Sequence, residues 1–182
     1  MYLGNLILLT VAGYSLLSIH DASQIRPFPV LKGITYSGYA VIALPYLFIA
    51  MQHDRDQYLR SPLPLLIILA VLLLALLVLL VYSVFIEIPL MTRQNGHQES
   101  APLYRRGTYA ISRHPGFLWL TAIHVMLGLL FREKSVVILL AFMTFCNLAL
   151  IIFEDLVVFP KIFPQYAEYR KEVAFFIQLP RK

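Results

Sequence analysis

Apolar residues run along this chain in five long blocks separated by short polar stretches. Met1–Ile19, Gly33–Gln52, Ser61–Ile86 and Ser135–Phe153 each hold about 19 or more residues without Asp, Glu, Lys or Arg, enough at about 1.5 Å per residue to cross a ~30 Å hydrocarbon core. A fifth block, Pro115–Phe131, is shorter and contains His124; it crosses obliquely, or dips in and pairs with the next helix. The stretch LPLLIILAVLLLALLVLLVYSVFI is apolar all round, as expected of a helix facing lipid or other helices. In the tail, Tyr166, Tyr169 and Val173 recur at i, i+3 and i+7, which predicts a helix starting after Pro164 and lying at the cytoplasmic interface as an amphipathic segment. The expected fold is all-α: a multi-pass integral membrane bundle of about five transmembrane helices with a cytoplasmic amphipathic tail helix.

Composition agrees with the pattern. Of 182 residues, 59% are hydrophobic and 14% charged, outside the range of an ordinary soluble domain. The first block lacks a basic flank and is followed by HDASQIRPFP rather than a small-residue cleavage site, so it reads as a retained helix and not a cleaved signal. Cys146 is the single cysteine; it cannot form an intrachain disulfide and reads as a small apolar residue.

Charge orients the bundle. With the amino terminus outside, the first loop, the third loop and the carboxyl tail carry eleven of the fifteen Lys and Arg residues, leaving Arg55, Arg60, Arg132 and Lys134 on the other face. The positive-inside rule then places the third loop and the carboxyl terminus in the cytoplasm. Short loops and small size suit a prokaryotic plasma membrane. The basic excess is accounted for by topology and anionic lipid, without a nucleic-acid partner.

Nothing repeats and no linker separates domains, so residues 1–182 form one membrane domain. Residues 1–90 read as scaffold helices in which no chemistry is visible. Polar residues concentrate in 91–182: a third loop with an Asn95–Gly96 turn signal, the short fourth helix, the fifth helix ending in IIFEDLVVFP, and the tyrosine-bearing tail.

The candidate chemistry starts at Arg113, His114 and Pro115. Proline suits the first position of a helix, and a helix start offers free N–H groups and a positive dipole end to an anion. Arg113 adds a planar fork for a carboxylate or phosphate, and His114 a group that exchanges protons near neutral pH. The plainer alternative is that both snorkel to headgroups. Glu154 and Asp155 are costly at a membrane helix end unless paired or ligated. If the fourth and fifth helices form an antiparallel hairpin, these acids meet Arg113 and His114, with Tyr166 and Tyr169 arriving from the tail. The result is a ligand pocket or a structural Arg-to-Glu clamp. The five histidines, His20, His53, His97, His114 and His124, show no metal-ligand spacing, and no metal is expected.

The ordered set Gly107-x-Tyr109-x-x-x-Arg113-His114-Pro115, an acidic pair at the end of the next helix, Tyr166-x-x-Tyr169-x-x-x-Val173 and a terminal Pro180-Arg181 resembles the isoprenylcysteine carboxyl methyltransferase family and its phospholipid methyltransferase relatives, over roughly the last 80 residues. The resemblance implies a membrane methyltransferase that takes S-adenosyl-L-methionine from the cytoplasm and methylates a lipid-borne, prenylated or other hydrophobic acceptor. It makes 91–182 the cofactor-binding, catalytic half, with Arg113 and Glu154 as catalytic residues. Tyr109, Arg113, His114, Pro115, Glu154, Tyr166 and Tyr169 would hold the cofactor. Aromatic faces suit a sulfonium and the anion site suits the methionine carboxylate. Direct displacement needs alignment and exclusion of water rather than a covalent nucleophile.

The family usually follows R-H-P with x-Tyr-x-Gly, where this chain has Gly116, Phe117, Leu118 and Trp119; many carboxyl-methylating members carry an arginine where Leu150 stands. These departures point away from a prenylcysteine carboxylate as acceptor. Two other classes compete: an NADPH-dependent membrane reductase of the sterol type, which typically has a longer chain, and a non-catalytic membrane protein that keeps the fold.

Overall fold

The computed structural model describes residues 3–25, 34–52, 62–87, 103 and 105–178. The predicted Asn95–Gly96 turn, the terminal Pro180–Arg181 pair and the basic residues of the first two loops lie outside them. Among the described residues every regular element is helical. α1 spans Leu3–Ile25 and α2 Ile34–Gln52; α3, Leu63–Val81, ends in a π turn, Tyr82–Glu87. A 3₁₀ turn at Gly107–Ala110 leads to α4, Pro115–Phe131, and α5, Lys134–Phe153. A second π turn, Glu154–Val158, continues α5 into the short α6, Phe159–Ile162, before the tail helix α7, Tyr166–Glu172.

Three stretches, Leu3–Ile25, Leu63–Glu87 and Lys134–Ile162, are long and apolar enough to cross a membrane; the apolar helices Tyr36–Met51 and Pro115–Phe131 are shorter. α1 runs six residues past the end of its charge-free block, because the backbone ladder continues through His20 and Asp21. This extension brings the end of α1, with Asp21, against the π turn that carries Glu154.

α1 packs on α2 and α5, and α4 on α5 and α3. No residue of α3 is buried, in keeping with a helix whose apolar surface faces lipid on most sides. The largest apolar core, Leu6, Ile49, Phe131, Val136, Leu139, Leu140 and Met143, gathers at one end of the bundle.

Midway along the bundle a polar chain ties three helices. Tyr46 of α2 lies 2.5 Å from His124 Nε2, and Thr144 Oγ1 of α5 lies 2.6 Å from Nδ1. Thr144 spends its own hydroxyl proton on the Leu140 carbonyl. It therefore accepts from His124, which places the ring proton on Nδ1 and makes Tyr46 the donor to Nε2.

The tail helix differs from its predicted role. Tyr166, Tyr169 and Val173 do share a face, but that face is buried against Leu103, Phe159 and Phe163, so it docks on protein instead of lying in the interface. Beyond α7 the chain runs beside the segment preceding α4: Arg113 N donates to Ala174 O and Gln178 N to Ile111 O.

Candidate functional site

The polar side chains collect at the end of the bundle opposite the large core. Four residues build the segment that presents Arg113 and His114. Gly107, at φ 58°, opens the 3₁₀ turn in a left-handed conformation that side-chain-bearing residues resist. Glu87, 1% exposed at the end of the first π turn, accepts hydrogen bonds from both the backbone N–H and the hydroxyl of Thr108. From the other side Tyr169 donates to the Tyr109 carbonyl at 2.7 Å, and Ser112 bridges the Phe175 carbonyl and the His114 N–H.

Pro115 opens α4 as its sequence position predicts, with His114 as the residue before it. Gly116 follows where the π turn after α3 comes close: a Cβ there would lie 2.7 Å from a Val84 methyl. Phe117 turns into the core, while Trp119 places its indole N–H in a buried position without a hydrogen-bond partner among the described residues.

Asp155, 2% exposed, occupies the centre. Tyr166 donates to its Oδ1 at 2.5 Å. Arg113 Nε and His114 Nε2 each lie 3.4 Å from the same oxygen, and Arg170 Nε lies 3.6 Å from Oδ2. These are ion-pair distances, longer than good hydrogen bonds; Arg113 Nε and His114 Nε2 are buried with no hydrogen-bond partner among the described residues. Glu154 sits to one side, 20% exposed, with Oε2 3.7 Å from His114 Nδ1. The imidazole thus lies between the two adjacent acids. Its ring stacks on Phe159 and tilts against Phe175, and the Arg113 guanidinium lies 5.3 Å over the Phe175 ring.

Burial pulls the His114 pKa below its ordinary value, against the opposing pull of Asp155, so the ring is neutral at pH 7. Burial also raises the phenols of Tyr109, Tyr166 and Tyr169, which keeps them protonated and able to donate.

All seven residues predicted for the site lie in this region, in different positions. Arg113, His114, Glu154 and Tyr166 converge on one cluster. Tyr169 braces the backbone of the loop, and Pro115 starts the helix beneath it. Sequence reasoning chose Glu154 over its neighbour, yet Asp155 takes the cationic partners. It also passed over Asp21, Glu87, Arg170 and Phe175. Arg170, directly after the predicted Tyr169, carried the one usable signal. Leu150, where relatives of the resembled family have arginine, fills an apolar contact with Tyr14 and Leu17 of α1, a place with no room for charge. No protein-family model matches the chain, and no curated protein or solved structure matches it.

Proposed function

We propose that the protein is an S-adenosylmethionine-dependent methyltransferase of the membrane that acts on a hydrophobic acceptor. The observation that supports this reading is that Arg113 Nε and His114 Nε2, buried at 3.4 Å from Asp155, make no hydrogen bond among the described residues. An unmade buried hydrogen bond costs about 1–3 kcal/mol, and a clamp with a purely structural purpose would satisfy its own atoms. Donors held loosely beside a cluster of aromatic rings suit a ligand that brings its own acceptors, such as an amino-acid carboxylate. These residues fit the cofactor: Arg113 and His114 for the carboxylate, Glu154 for the positive centres, and the rings of Phe159 and Phe175 as walls. Bound there, S-adenosylmethionine supplies an electrophilic methyl group on a sulfonium. The chain binds and orients it, and the docked tail keeps water away.

In this reading five helices traverse the bilayer of a prokaryotic plasma membrane, and the Arg113 end faces the cytoplasm by the distribution of Lys and Arg.

The test is calorimetric titration of the purified protein in detergent with S-adenosylhomocysteine and, separately, NADPH. Binding of the first alone is expected; binding of neither rejects both enzyme readings. His114→Ala and Glu154→Ala should weaken binding while the protein still folds. If the alanine variants do not fold and His114→Gln binds normally, the cluster is a structural clamp.

A further inference from the structure

Past α7 the chain turns apolar and irregular. Residues 174–178 lie beside residues 111–113 as a short ladder: Arg113 N donates to Ala174 O at 3.1 Å and Gln178 N to Ile111 O at 2.7 Å. Ser112 Oγ adds a bond to the Phe175 carbonyl, and Ala174 N one to the side-chain oxygen of Gln178. On the inner side the Phe175 ring lies against Arg113 and His114. On the outer side Ile111, Phe176 and Ile177 are 46–59% exposed, and the Phe176 ring rests on Phe117 in the first turn of α4, centroids 5.7 Å apart. The depth of this ladder follows from helix lengths. α4 and α5 are joined by a two-residue turn; α4 returns over 17 residues and α5 over 20, about 25 and about 30 Å. With the charged turn, Arg132, Glu133 and Lys134, at one edge of a ~30 Å hydrocarbon core, the ladder falls at the other edge, level with the last turn of α5. Irregular backbone at that depth must satisfy its own polar groups, and the pairing of the two segments does so.

We infer that the ladder is a bilayer anchor: Ile111, Phe176 and Ile177 enter the hydrocarbon edge of the cytoplasmic leaflet, and lipid around them holds Phe175 over Arg113 and His114. Three observations choose lipid as the occupant. Phe176 rests on α4, so the patch extends an apolar helix surface and not the polar cluster. The backbone of the ladder is paired as an apolar surrounding demands. In sequence the uncharged run from Val173 to Gln178 is bracketed by Arg170 and Lys171 on one side and Arg181 and Lys182 on the other, cations that suit anionic headgroups at the water boundary. Glu172, inside the first bracket, is taken by Arg105. The interfacial role expected of the tail helix thus passes to the segment after it. The inference needs a bilayer around the bundle and is independent of the methyltransferase reading.

Full-length protein carrying Cys146→Ala and one new cysteine, Ile177→Cys or Ile111→Cys, is labelled with a nitroxide in phosphatidylglycerol nanodiscs; Lys171→Cys is the water-exposed control. Relaxation by oxygen, which concentrates in lipid, should dominate at positions 177 and 111, and relaxation by a water-soluble nickel chelate at position 171. Nickel access at 177 and 111 equal to that at 171 overturns the anchor. Protection from both reagents also overturns it, because protein, either a second copy or another part of this chain, then covers the patch. The hold on Phe175 is read by hydrogen exchange in the same nanodiscs. Ile177→Asp should speed exchange of the peptides spanning Arg113 and Gln178 about tenfold or more, since one large apolar side chain leaves the lipid, and Ile177→Leu should leave it unchanged. Equal exchange in wild type and Ile177→Asp overturns the hold on the site. S-Adenosylhomocysteine enters none of these measurements, so its failure to bind removes the methyltransferase reading and leaves the anchor standing.

Discussion

Replacing Asp155 with asparagine keeps the shape of the side chain and removes its charge. Tyr166 can still donate to the amide oxygen, so that hydrogen bond survives. Arg113 is what loses its partner, and its side chain is 9% exposed. Removing one member of a buried ion pair costs about 3–5 kcal/mol. Arg170, 40% exposed, is solvated and adds little. For a chain of this size each kcal/mol moves the melting temperature by about 2–4 °C, so Asp155→Asn should melt lower by about 6–20 °C. Glu154→Gln should behave differently, because its neighbour His114 is neutral and no cation is stranded; we expect a change within about 1 kcal/mol. Trp119 is the single tryptophan, and its fluorescence on heating in detergent reports both variants. Equal shifts, or a larger loss for Glu154→Gln, would refute the assignment of Asp155 as the electrostatic centre.

Gly116→Ala should destabilise by about 1–3 kcal/mol through the clash with Val84, and Val84→Ala in the same chain should restore part of that loss in a denaturation series. Tyr46→Phe strands His124 Nε2 and should cost about 1–3 kcal/mol, while nitrogen NMR of the wild type should find the His124 ring proton on Nδ1. The pH response of His114 follows from its lowered pKa: the unfolded chain takes the proton first, at its ordinary value of about 6.5. Its contribution to stability is therefore complete above that pH and is lost as the pH falls through the folded value. His114→Gln should flatten this part of the stability curve, measured by melting at a series of pH values; an unchanged slope would contradict a neutral buried ring.

The helices were legible because a membrane helix needs an unbroken apolar run, and Pro115–Phe131 matches its block residue for residue. The meeting of Arg113 and His114 with the acids after α5 was also legible, since an antiparallel hairpin brings those ends together. What sequence pattern could not supply was depth within a turn. Glu154 and Asp155 differ by one position, and which of them turns inward depends on a π turn that leaves no mark in hydropathy. Asp21 was hidden for another reason. A charge-free window stops where the first charge begins, so the residue that ends the window is excluded from it, although the helix carries that residue on to the site. Glu87 escaped in the same way, at the end of the third block, and its role emerges only once Thr108 is folded beside it.

The π turn at Glu154–Val158 is a reserve of chain length. A π turn closes each hydrogen bond across five residues rather than four, so it holds one residue more than regular helix would. Removing a single residue from it, such as Leu156, would leave a regular α turn with the helix beyond it pointing as before. The same deletion in the regular helix on either side would rotate everything after it by about 100°, swinging Phe159 away from the His114 ring it now stacks on and the Tyr166 phenol from its line to Asp155. A one-residue deletion is therefore better tolerated within this turn than beside it.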